Sequence, residues 1–131
     1  FTSLGNDTAH IILRGGKDGP NYSKEHIETT CEKLKDKGLV SKVMVDFSHA
    51  NSEKQFKNQL KVGANIAAQI EEGSESIFGV MIESHINEGN QKVGPLPSLK
   101  YGISITDSCI GWEDTESLLR DLAKSVKARN S

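Results

Sequence analysis

Paired cysteines, long apolar runs and surplus positive charge are all missing from this chain, and each absence removes a class of explanation. Its two cysteines, Cys31 and Cys109, stand far apart in 131 residues and form no CxxC pair. A reduced, cytoplasmic setting is therefore expected, and no metal is inferred from the thiols. No apolar run outlasts Ile77 to Ile82, far short of the roughly 20 residues a membrane helix needs. The formal net charge of -2 and pI near 6.1 give no basic field for nucleic acid or an anionic membrane, so neither is expected as a partner, although a local positive pocket for a small phosphate stays open. No GxGxxG follows a strand and no GxxxxGK[ST] is present, which takes the best support from dinucleotide and P-loop readings.

What remains is an ordinary soluble composition, with 35% hydrophobic and 26% charged residues, in a chain long enough to bury a modest core. Within it, three apolar runs each stop at a charged or metal-capable side chain. HIILRGG ends on Arg14, KVMVDFSHAN on Asp46 and His49, and FGVMIESH on Glu83 and His85. Folding alone would be served equally well by Ser or Asn at these places, so chemistry is the better explanation.

The pattern around the runs reads as three β/α units. The first strand is expected at about His10 to Leu13, with a helix from Ser23 that buries Ile27, Cys31 and Leu34 and stops at Gly38. The second is expected at about Lys42 to Phe47. Its helix carries a capping-box signature in Ser52-Glu53-Lys54-Gln55, places Phe56, Leu60, Ala64 and Ala67 on one buried face, and ends near Gly73. The third strand is expected at about Ile77 to Ile82, followed by a long loop from Asn87 to Gly102 of the kind that serves active sites. A last helix opens at Asp114 or Thr115 and sets Leu118, Leu119, Leu122, Ala123 and Val126 at helical spacing above a basic end. Strands alternating with helices imply a parallel sheet. The expected fold is α/β, as the C-terminal three β/α units of a (β/α)8 barrel of about 250 residues, whose active groups gather at the C-terminal ends of the strands. A doubly wound sheet is the competing architecture. Because the chain opens on Phe1-Thr2-Ser3 and runs almost directly into a strand, residues 1–131 are expected to be part of a longer single barrel domain.

Arg14 precedes Gly15-Gly16, which places a guanidinium beside backbone that can approach a ligand closely. The arrangement suits bidentate capture of phosphate or carboxylate, with a salt bridge on the barrel rim as the alternative. His49 is open to three roles: metal ligand, general base, or hydrogen-bonded loop histidine. A carboxylate straight after GVMI, Glu83, must be paired or bound to a cation. Asp107, inside YGISITDSCIGW, is either a turn residue or a further oxygen donor. Taken together, one nitrogen and two oxygen donors on separate loops at one face fit a divalent transition metal such as Mn, Fe, Co or Zn.

The motifs HIILRGG, DFSHANS with KQFKNQ behind it, GVMIESHINEGNQ, and YGISITDSCIGWEDT with LLR in the next helix resemble the C-terminal third of 3-deoxy-D-arabino-heptulosonate-7-phosphate (DAHP) synthase. The type is the one found in enterobacteria and fungi, and the likeness runs through nearly all of the 131 residues. It implies a (β/α)8 barrel that condenses phosphoenolpyruvate with erythrose 4-phosphate, the first step of the shikimate pathway. It implies that His49, Glu83 and Asp107 bind one divalent metal ion, and that Arg14 helps hold the phosphoenolpyruvate phosphate. It also implies that Asp107 touches a substrate hydroxyl and that His49 relays a proton. A fourth ligand, a cysteine on an early strand, matches neither Cys31 nor Cys109. The likeness further implies the remainder of the barrel, a homo-oligomer and an aromatic amino acid feedback inhibitor as partners, and no activity for these residues alone. Two alternatives stand beside it: 3-deoxy-D-manno-octulosonate-8-phosphate synthase, which couples phosphoenolpyruvate to arabinose 5-phosphate, and a non-catalytic phosphate-binding α/β module.

Overall fold

A computed structural model describes all 131 residues as a mixed α/β unit built on a parallel sheet. In chain order the elements are β1 (Ile11–Leu13), α1 (Lys24–Asp36), β2 (Val43–Asp46), α2 (Gln59–Glu71), β3 (Ile77–Met81) and α3 (Trp112–Arg129), with single 3-10 turns at Phe56–Asn58 and Leu96–Ser98. The sheet order is β1-β2-β3 with both pairings parallel. Ile11 faces Val43 and Leu13 faces Val45 across one ladder. Across the other, Val43 faces Ile77 and Asp46 faces Met81, after a register shift between Val43 and Met44. Val43, Val45 and the adjoining Phe47 alternate along β2 and so share one face, on which all three are fully buried. That burial fixes the level at which the three strands end, and therefore the level at which the polar groups emerge.

The first helix follows its expectation. Ser23 caps it by accepting the His26 N–H, Glu25 lies in the first turn and Lys33 and Lys35 in the last, each favourable to the helix dipole. Gly38 at φ +68° lets the Gly38 and Leu39 N–H groups return to the Lys35 and Leu34 carbonyls and close the helix.

The second helix differs. Ser52 caps nothing: its hydroxyl donates to the His49 carbonyl, and Glu53 and Lys54 adopt left-handed φ values of 53° and 60°, which no capping box allows. The chain after β2 makes a tight turn, passes through the 3-10 segment, and only then enters α2 at Gln59. The buried stripe is accordingly Val62, Gly63, Ile66, Ala67 and Ile70, while Ala64 faces solvent and Phe56 and Leu60 are half-buried. Gly63 is where α3 comes closest. A Cβ there would collide with the Leu118 side chain and lie 3.0 Å from the Phe47 ring.

The third helix begins at Trp112, ahead of the expected start, with Gly111 as its cap and Glu113 and Asp114 in the first turn. It buries Thr115, Leu118, Leu122 and Ser125, and leaves Leu119, Ala123 and Val126 exposed. The long loop is less irregular than its composition suggests. Gln91 ties it together by donating to the Lys100 and Ile103 carbonyls and accepting the Lys100 N–H. Bridges join Gly89 to Cys109 and Ser84 to Ile110. No helix is long and apolar enough to cross a membrane.

Candidate metal and anion site

The groups that terminate the three strands meet in one cavity of about 550 Å³, lined by Arg14, Ser48, His49, Lys54, Glu83, Asn90 and Asp107 among others. Three polar side chains bring them there. Asn51, 2% exposed, donates to the Leu13 and Asp46 carbonyls and so joins the ends of β1 and β2. Its side-chain oxygen accepts the Asn21 N–H, and Asn21 in turn accepts the Gly15 N–H. Gln59 then fastens the end of β3, accepting the Glu83 N–H at 2.8 Å and donating to the Glu83 carbonyl at 3.0 Å.

His49 sits on the tight turn after β2 with φ 55°, a left-handed conformation that costs a non-glycine residue about 1–2 kcal/mol. Strain of this kind concentrates where function fixes a side chain. Its Nδ1 lies 2.8 Å from Asp46 Oδ2, although the alignment is not that of a hydrogen bond and this buried nitrogen is otherwise unpartnered. Asp46 is itself 3% exposed and accepts the Ser48 N–H through its other oxygen. The ring therefore presents Nε2 to the cavity, 3.6 Å from Glu83 Oε1. Ser48 Oγ donates to Glu83 Oε2 at 2.7 Å, leaving Oε1 as the free oxygen.

His49, Glu83 and Asp107 each offer a donor atom within 4.8 Å of the other two. Two donors about 2.1 Å from one ion are about 3.4 Å apart at the tetrahedral angle and about 4.2 Å at most. The 3.6 Å contact thus already has ligand-pair geometry. Bringing the widest pair to tetrahedral spacing requires movement of about 1.4 Å at most, which the exposed Asp107 can supply. The donor set fits a divalent transition metal better than Mg or Ca, because an imidazole nitrogen belongs to it.

Arg14 is exposed on the rim of the same cavity and takes part in none of the salt bridges of the chain. Its guanidinium has no acidic partner within these 131 residues. Lys54 lines the cavity too. His85 stays out of the group: its Nδ1 accepts the Ile86 N–H at 2.9 Å. Neither cysteine joins. Cys31 is buried on α1, and Cys109 is buried with Sγ 3.5 Å from the Asp107 carbonyl. Burial pushes the Cys109 thiol up, against a lowering hydrogen bond from Ser104. The sequence reading missed Ser48, Asn51 and Gln59, which no local pattern marks.

The DAHP synthetase I family model matches residues 1–120. The chain is 58% identical over 125 residues to the Phe-sensitive phospho-2-dehydro-3-deoxyheptonate aldolase of Escherichia coli, a match covering 95% of this chain and 35% of that protein. It is 50% identical over 132 residues to the phenylalanine-inhibited phospho-2-dehydro-3-deoxyheptonate aldolase of Saccharomyces cerevisiae, covering 95% and 36%. The solved structure of phospho-2-dehydro-3-deoxyheptonate aldolase from Francisella tularensis superposes with a TM-score of 0.92 at 46% identity, over all of this chain and 38% of that one. The chain therefore spans about a third of the length of these relatives.

Proposed function

The chain belongs to the DAHP synthetase I family, and from that premise we propose that it is the C-terminal part of a (β/α)8 barrel condensing phosphoenolpyruvate with erythrose 4-phosphate. In the reaction, C3 of phosphoenolpyruvate bonds to the aldehyde carbon, water adds at C2, and phosphate leaves. The supporting observation is the convergence of His49, Glu83 and Asp107 on one point, with Arg14 on the rim of the same cavity.

His49 Nε2, Glu83 Oε1 and an Asp107 carboxylate oxygen would hold one divalent ion, the fourth donor coming from outside these residues. Such an ion, when bound, supplies Lewis-acid polarisation of an aldehyde oxygen. The chain's own residues do the rest. The Arg14 fork grips the phosphate of phosphoenolpyruvate and orients its nucleophilic carbon toward the donors. Asp46 Oδ2, 2.8 Å from Nδ1, would accept an Nδ1 proton once the ring turns into line with it, which leaves Nε2 for the cavity. Asp107, the exposed member of the set, has room to reach a substrate hydroxyl. The heptonate name carried by relatives as near as 58% identity supports erythrose 4-phosphate over arabinose 5-phosphate as the aldose. An aromatic amino acid effector is proposed on the same footing, since relatives are named Phe-sensitive, Trp-sensitive and tyrosine-inhibited.

The test uses the full-length protein. Chelation should abolish condensation, and Mn or Co should restore it. His49→Ala should weaken Mn binding by at least about tenfold. Full activity after exhaustive chelation would sink the metal reading, and equal turnover of arabinose 5-phosphate would sink the choice of aldose.

A further inference from the structure

Glu83 is held at more points than a strand-end carboxylate needs for folding. Its main chain is paired twice to one side chain, that of Gln59, which is 0% exposed. A Gln amide has one acceptor oxygen and one donor nitrogen, so engaging both the N–H and the C=O of a single residue fixes which way the amide faces. Gln59 thereby extends the β3 ladder past Met81 from the first turn of α2. The carboxylate is then set by Ser48, 5% exposed, whose hydroxyl occupies Oε2. Ser48 is fixed in its turn, because Asp46 Oδ1 accepts its N–H at 2.8 Å. One degree of freedom after another is removed until a single oxygen, Oε1, faces His49 Nε2.

We propose that Ser48 and Gln59 are positioning residues for Glu83, selecting Oε1 as the oxygen presented to a divalent cation and holding it at ligand distance before the cation arrives. The proposal rests on the metal reading above. Neither residue touches the cation. Ser48 acts through the carboxylate and Gln59 through the backbone that carries it. A carboxylate left free to rotate must be ordered when the ion binds, and outer partners of this kind typically contribute about 10- to 100-fold to metal affinity.

The experiment titrates Mn²⁺ into metal-free, full-length protein and follows binding by electron paramagnetic resonance, with thermal melting of the metal-free form measured beside it. Ser48→Ala deletes one hydroxyl and should raise the Mn²⁺ dissociation constant at least about tenfold, alter the bound-Mn²⁺ line shape, and leave the metal-free melting temperature unmoved. Gln59→Glu keeps an acceptor for the Glu83 N–H but turns an oxygen toward its carbonyl, and should weaken Mn²⁺ binding as well. Wild-type affinity and line shape in Ser48→Ala would overturn the proposal. So would a loss of affinity matched by a fall in metal-free melting temperature, since the hydroxyl would then be supporting the fold. Absence of Mn²⁺ binding by the unaltered protein would overturn the metal reading itself, and the two failures are thus told apart.

Discussion

At the scale of single residues, the site depends on which atom faces which. Asp46→Asn retains an oxygen for the Ser48 N–H but places an amide N–H₂ against His49 Nδ1, where a carboxylate oxygen lies 2.8 Å away. The imidazole would then carry its proton on Nε2 and could not ligate through it. The expected result is a 10- to 100-fold weaker metal site, about 1.4–2.7 kcal/mol, with the tautomer change visible in the imidazole ¹⁵N shifts. Unchanged shifts would mean that Asp46 serves only the Ser48 N–H. Arg14→Lys tests the anion reading. A lysine keeps the charge and loses the fork, so the Michaelis constant for phosphoenolpyruvate should rise by about 1.5–3 kcal/mol of lost binding while that for the aldose phosphate moves less. Unchanged constants for both substrates would make Arg14 structural. Arg14, His49 and Glu83 were legible in the sequence because each ends or follows an apolar run, and strand ends gather on one face, whereas Asp107 follows no such run and was legible through the family likeness of YGISITDSCIGW. Ser48 and Gln59 were not, because their hydrogen bonds reach residues 35 and 24 positions away, and local patterns carry no such information.

At the scale of elements, the strands were legible and two helix starts were not, that of α3 by a few residues and that of α2 altogether. Three β-rich runs bounded by charge could hardly be anything else, whereas Ser52 through Gln55 satisfies the capping-box pattern and still forms a turn. Burial decided the matter: Ser52 is 1% exposed and spends its hydroxyl on the His49 carbonyl. The turn fits against β1 only because Gly15 has no side chain. Gly15 adopts φ +79°, and a Cβ there would lie 2.6 Å from Ala50 Cβ and 2.8 Å from both Ala50 C and Asn51 N. Gly15→Ala should therefore cost about 2–5 kcal/mol, from left-handed strain of about 1–2 kcal/mol and overpacking of about 1–3 kcal/mol. Denaturant unfolding of the full-length protein measures it. A loss under about 1 kcal/mol would show that the turn moves freely away from β1. Lys57 links three elements at the surface, contacting Glu88 of the loop and Asp114 of α3. Hydrogen bonds to Glu88 and then Asp114 raise its pKa, so the link is present at neutral pH and is lost as pH climbs through that raised value. Lys57→Met should speed amide exchange in the 87–102 loop with little change in global stability, and unaltered exchange would assign the ordering of the loop to Gln91 instead.

At the scale of the whole molecule, the physical question is what the sheet does with its outer strands. The order β1-β2-β3 leaves one side of β1 and one side of β3 unpaired, and unpaired edges invite association. Both strands also expose large apolar side chains, with Ile11 at 42%, Ile12 at 49% and Phe78 at 48%. In a barrel the neighbouring strands and the interior layers would cover such groups. The barrel was read from the β/α alternation, but alternation alone serves a doubly wound sheet as well. The chain superposes along its whole length on 38% of a relative's structure at a TM-score of 0.92, so that relative has further chain with which edges like these could be covered, as the proposed barrel requires. The expectation follows that these 131 residues, produced alone, self-associate and lack condensing activity. Sedimentation velocity should give a broad distribution of oligomers, with a hydrophobic dye bound at neutral pH. Co-expression with the remaining strands of the same protein should narrow that distribution and bring back turnover. A monomer with a sharp calorimetric transition and no dye binding would show that the apolar edges need no cover, and the barrel proposal would lose its physical footing.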